Sequence, residues 1–155
     1  MPSLPIVPHP ADRPPREGAE RAPDAPAGTL PDLADADLHA LLVAFYATVE
    51  RDPLLAPYFA DLDMVAHIPR IADFWSTMLF HSGRYAGNAF APHARMPGLT
   101  ADHFARWVAT FERTVDARHA GPVAERAKDL AHRIAYSMQL RLGITPFDSY
   151  RQDAV

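Results

Sequence analysis

The chain has 155 residues, 48% of them hydrophobic, and a formal net charge of −4 with histidine counted neutral. This suits one domain with a real core and leaves no electrostatic footprint for nucleic acid, since the basic residues are scattered arginines with Lys128 the single lysine. The absence of cysteine excludes disulfides, zinc–thiolate sites, iron–sulfur clusters and a cysteine nucleophile.

Nine of the 16 prolines fall within residues 1–31. A stretch so rich in proline neither propagates a helix nor pairs as a central strand, so residues 1–34 read as a disordered extension. The folded part is expected over 35–143, with 144–155 as a tail of no clear period. In the first helical pattern, Leu38, Leu41, Leu42, Phe45, Tyr46 and Val49 trace one face. Asp35 or Asp37 is placed to cap it. The connection that follows, "PLLAPYFADLD", is apolar enough to be packed over something.

A second helix is expected over "AHIPRIADFWSTMLFHSG". Its stripe runs Ile68, Ile71, Ala72, Trp75, Met78 and Leu79, widened by Phe74, with Pro69 expected in the first turn and Gly83 as terminator. "YAGNAFAPHARMPG" comes next, too broken for a long helix. Asn88 can cap about one turn from Phe90 to His93, which Met96-Pro97-Gly98 then ends. Thr100 announces a third long helix with Phe104, Trp107, Val108, Phe111 and Val115. Pro122 opens a fourth that runs by Val123, Ala127, Leu130, Ala131, Ile134, Ala135, Met138 and Leu142 to Gly143. No strand is expected. The fold class is all-α, with two helix pairs joined by the short histidine-bearing shelf.

Several chemistries find little support. A carboxylate-bridged di-metal centre needs Glu-x-x-His on two helices, and the chain has none; Asp129–His132 gives the spacing once. Gly-x-Ser-x-Gly and glycine-rich phosphate loops are also absent. A cofactor held by one imidazole remains, because haem iron needs a single protein ligand on one face. A rigid, proline-bracketed turn suits His93 to that task. Spacing alone does not separate such a ligand from an ordinary surface or core histidine.

The apolar faces add to the picture. A flat apolar disc needs a slot lined by aromatics with few polar groups. Phe45, Phe59, Phe74, Trp75, Phe90 and Phe111 are spread over the elements that could border one, though core packing alone also uses such residues. Tyr46, His67 and Trp107 each offer a hydrogen-bond donor on or beside an apolar stripe. Buried donors of this kind stabilise a polarised diatomic ligand.

"AFYATVERDPLLAPYF", "HIPRIADFWSTML", "GRYAGNAFAPHARMPGLTADHFARWVATFERT" and "ERAKDLAHRIAYSMQLRLG" together resemble the group III truncated haemoglobins. The resemblance covers about residues 36–143, and the lack of a Gly-Gly pair fits that group. It implies a reduced globin fold, two helices over two around haem b. It makes His93 the proximal iron ligand, Tyr46, His67 and Trp107 the distal residues, Phe59 a phenylalanine packed on the haem, and Arg70 a partner of a haem propionate.

The reading is then of a haem protein that binds dioxygen, nitric oxide or a related small ligand. Redox chemistry, such as nitric oxide dioxygenation or peroxide reduction supported by a reductase, is favoured over bulk transport because strong donors slow ligand release. The alternative is a cofactor-free helical interaction module in which the aromatics are only core. No apolar run approaches the ~20 residues that span a bilayer, and no secretory signal is evident. A cytoplasmic location without membrane insertion is therefore expected. His39, His119 and His132 read as solvated, His81 as a helix-end residue, and His103 as lying on the side of Phe104 and Trp107.

Overall fold

The structure is a computed structural model that describes residues 28–146. Five helices follow one another: α1 (Leu38–Val49), α2 (Met64–Phe80), α3 (Phe90–His93), α4 (Ala101–Arg118) and α5 (Pro122–Arg141), and the described residues include no strand. One-turn 3-10 segments at Asp35–Asp37 and Ala56–Tyr58 precede α1 and α2. The long helices pack as α1 on α2 and α4 on α5, and the pairs meet through α1 against α4 and α2 against α5. This is the two-over-two arrangement expected of the sequence.

The α1 stripe is buried at all six expected positions, with Leu41, Phe45 and Val49 wholly inaccessible. Burying one such side chain contributes roughly 1.5–3 kcal/mol. Asp35 and Asp37 do not cap α1; they lie in the 3-10 turn, where Asp37 Oδ2 accepts the Ala34 N–H at 2.9 Å. α2 starts earlier than expected because the Asp63 carboxylate accepts from the Ala66 N–H at 3.3 Å. Pro69 therefore lies inside the helix, where its ring removes the N–H that would reach the Val65 carbonyl. Its exposed position leaves room for the ring. Met78, expected on the buried stripe, is 46% exposed. α2 ends at His81, in the left-handed region with φ 56°.

The central packing is aromatic. Phe111 stacks on Trp75, centroids 4.6 Å apart with planes 12° apart, and on Trp107 at 6.0 Å and 10°. Phe45 meets both Phe111 and Trp107 edge-on. At the far end α5 closes by the double bond pattern of a Schellman turn. Ile144 N–H donates to Gln139 O and Gly143 N–H to Leu140 O, with Gly143 at φ 72°. Ile144 packs against the buried cluster of Phe104, Val108 and Ala135, so the tail is anchored at its first residue.

The expected disordered extension is corrected over residues 31–34. Leu33 is buried in the core. The Asp32 carboxylate accepts from Val123 N–H (3.0 Å) and Ala124 N–H (2.9 Å), and Pro31 O accepts from Ala120 N–H (3.0 Å). Asp32 thus caps α5 from across the sequence and satisfies two of its orphan donors. Those bonds hold its carboxyl below the usual range, against the opposing effect of burial. Gly121 makes the contact possible: it sits at φ 144°, and a Cβ there would lie 2.5 Å from Asp32 Cγ. Residues 1–27 and 147–155, with most of the expected extension and tail, lie outside the described residues.

Candidate functional site

A cavity of about 330 Å³ opens between the helix pairs, lined mainly by apolar side chains. That size is at the lower end for small-molecule and cofactor pockets. Every element around it contributes. Tyr46 comes from α1; Leu55, Tyr58 and Phe59 from the connector; His67, Arg70, Phe74 and Trp75 from α2; His93 from α3; His103, Phe104 and Trp107 from α4; Ile134 and Met138 from α5.

His93 is the best-defined polar group of the cavity. Asn88 Oδ1 accepts from the N–H groups of Phe90 (3.0 Å) and Ala91 (3.2 Å), which shapes the single turn of α3. His93 Nδ1 lies 2.8 Å from the Ala89 carbonyl oxygen. A carbonyl only accepts, so the proton is on Nδ1 and the Nε2 lone pair is left free. Desolvation of the half-buried ring lowers its pKa; the Ala89 bond opposes this and charge on His67 adds to it. Neutral imidazole with a free Nε2 is the ligating form.

Tyr46 is 7% exposed. Burial pushes its phenol well above its ordinary value, and the Trp107 side chain draws it partly back. Indole is only a donor, so Trp107 brings a second donor to the cavity beside the Tyr46 phenol. The Phe59 ring lies 5.5 Å away. His67 is half-buried in the same cavity, and Arg70 lies at its edge, exposed, with no carboxylate partner among the described residues.

Of the eleven residues singled out in the sequence, the cavity gathers His93, Tyr46, His67, Trp107, Phe59, Phe74, Trp75 and Arg70. Three predicted lining residues are corrected. Phe45 and Phe111 are fully buried behind Tyr46, Trp75 and Trp107, as backing to the wall. Phe90 does not line the cavity; its ring lies under the Arg141 guanidinium at 5.0 Å.

Sequence reasoning missed Tyr58, Tyr85 and His103 as lining residues. His103 stands four residues before Trp107 on one helix, a spacing that places both on one face. Nothing local marks Tyr58. Two histidines expected in solvent are also corrected. His119 is buried at the end of α4 with Nδ1 unpartnered, and His132 is bonded to Glu112 at 2.7 Å between α4 and α5.

No protein-family profile matches the chain. A curated relative, a group 3 truncated hemoglobin of Campylobacter jejuni, is 29% identical over 82 residues, 49% of this chain. The match spans 65% of that relative's length. The crystal structure of a group III truncated hemoglobin from Campylobacter jejuni superposes with a TM-score of 0.67 at 24% identity, covering 74% of this chain and 94% of that one.

The fold is that of a group III truncated globin.

The cavity lies between the two helix pairs of this fold. Phe111 stacks on both Trp75 and Trp107, which supports the wall from behind. Arg84 ties the segment before α3 to the rest of the fold. It pairs with Asp35 at 2.9 Å and Asp73 at 3.2 Å. Tyr85 N–H donates to Thr77 Oγ1 at 3.0 Å. These bonds fix where the shelf begins. No helix of the described residues is long and apolar enough to cross a membrane.

Proposed function

We propose that this truncated globin holds haem b in the cavity and binds a diatomic ligand there, dioxygen or nitric oxide, for redox chemistry. One observation carries the reading. His93 borders a largely apolar cavity with Nδ1 committed to the Ala89 carbonyl and Nε2 free, and the donors Tyr46, buried, and Trp107, half-buried, line the same space. The donor set fits the group: one neutral imidazole for the metal, apolar walls for the ring, few competing polar atoms. Bound there, haem would supply reversible ligation and one-electron chemistry of small diatomics.

The chain's own residues do the rest. His93 would hold the iron through its free Nε2, and its Nδ1 bond to the Ala89 carbonyl orients the ring and tunes its basicity. Burial raises the Tyr46 pKa, so the phenol keeps its proton at neutral pH. It would donate that proton toward the ligand. His67 adds a third polar group at the distal side. Phe59, Phe74 and Trp75 would exclude water, and Arg70 would hold a propionate at the cavity edge. Strong donors of this kind slow ligand release, so dioxygenation of nitric oxide or reduction of peroxide, with electrons returned by a reductase, fits better than bulk transport.

Titration of the purified chain with haemin tests the reading. One equivalent is taken up with an intense Soret band, and His93→Ala loses most of that affinity. Equal haemin affinity in wild type and His93→Ala contradicts the axial role.

A further inference from the structure

The shelf that carries His93 is lightly held. α3 has one turn and packs on no helix as broadly as the long helices pack on each other. Behind the imidazole the chain continues in single-turn bonds: Arg95 N–H donates to Pro92 O and Met96 N–H to His93 O. That run ends at Pro97, and there it meets the connector between α1 and α2, which also lines the cavity. The Tyr58 hydroxyl donates to the Pro97 carbonyl at 2.8 Å, across 39 residues of sequence.

Tyr58 closes the 3-10 turn Ala56–Tyr58, in the connector that also carries Phe59. The bond therefore joins the wall next to Tyr46 to the segment four residues beyond His93. Both partners are prepared for it. Gly98, at φ 76°, turns the chain in the left-handed region just after Pro97. A Cβ at Gly98 would lie 3.6 Å from the Tyr58 oxygen. On its other side the Tyr58 ring meets His103 edge-on at 5.3 Å and 89°. His103 is itself held, since its Nδ1 accepts the Thr100 N–H at 3.1 Å. Phenylalanine would give the same ring packing; only the hydroxyl reaches Pro97.

We propose that Tyr58 is a positioning residue for His93: its hydroxyl, bonded to the Pro97 carbonyl, clasps the shelf to the connector and holds the axial imidazole in place. This rests on the haem reading. Without the bond the shelf is free to swing away from the cavity, and the cofactor leaves more readily. The Tyr58 ring lines the cavity, but its hydroxyl is given to Pro97, so the hydroxyl acts through His93 and its effect disappears when the axial base is no longer carried by the shelf.

The test uses the full chain loaded with haemin and an excess of an apoglobin scavenger. Loss of one neutral hydrogen bond predicts that Tyr58→Phe speeds haemin transfer about 3- to 10-fold. In a His93→Gly background supplied with free imidazole as axial base, the same substitution leaves the rate within about 1.5-fold, well below that range. A general loosening of the pocket would speed transfer in both backgrounds. An unchanged rate in Tyr58→Phe overturns the clasp, and so does equal acceleration in the His93→Gly background. Failure of the wild-type chain to take up haemin removes the haem reading and the clasp together; uptake with an unaltered Tyr58→Phe rate removes the clasp alone.

Discussion

Tyr46→Phe removes one oxygen from a residue that is 7% exposed and leaves its ring in place against Phe45 and Phe59. The loss falls at the ligand. A hydrogen bond to a group carrying partial charge contributes about 1.5–3 kcal/mol. That corresponds to a roughly 10- to 100-fold faster release of bound dioxygen. Because burial raises the phenol's pKa, the effect stays constant from neutral to mildly alkaline pH. Stopped-flow displacement of dioxygen from the reduced haem-loaded protein measures it directly. An off-rate in Tyr46→Phe within twofold of wild type, with the fold intact, refutes the donor assignment.

Further outcomes follow from the same structure. His93 has a folded pKa below its ordinary value, so the unfolded chain takes up its proton first as the pH falls. The cofactor-free protein therefore loses stability as pH drops through the ordinary imidazole range of about 6.5 and down to the folded value. Urea titrations at stepped pH should show this slope and its loss in His93→Gln. Asp32, also lowered, contributes stability above the ordinary carboxylate range that is lost as pH falls through its folded value. Asp32→Ala should lower the wild-type melting temperature at neutral pH and change it little in strong acid, as read by circular dichroism. Phe111→Ala removes the ring shared by Trp75 and Trp107 and should cost about 3–5 kcal/mol in denaturant unfolding.

The helices were legible where burial has a period. The α1 face and the α4 and α5 stripes repeat every three or four residues, and they are the faces the structure buries. Pro69 misled the start of α2, because a proline favours the first turn and an exposed one is tolerated deeper in. Asp32 and Leu33 were hidden by the prolines around them; their partner is the start of α5, some 91 residues on, and no local pattern records it.

At the site, Tyr46, His67 and Trp107 stood out because polar groups on or beside apolar faces are unusual, and His93 because prolines bracket the single turn that carries it. The phenylalanines did not sort themselves. Phe45 and Tyr46 are neighbours in sequence, yet one backs the wall and the other faces the cavity. That distinction depends on which side of a packed layer the void falls, a tertiary property. Tyr58 was invisible for the same reason, since its hydroxyl finds its acceptor 39 residues away.

The central claim is most directly tested by the visible absorption spectrum of the purified chain, oxidised and reduced. The account predicts an intense Soret band in both states, at one haem per chain, moving on reduction and again on adding carbon monoxide. A folded, colourless protein that gives no such band even after incubation with haemin would contradict it.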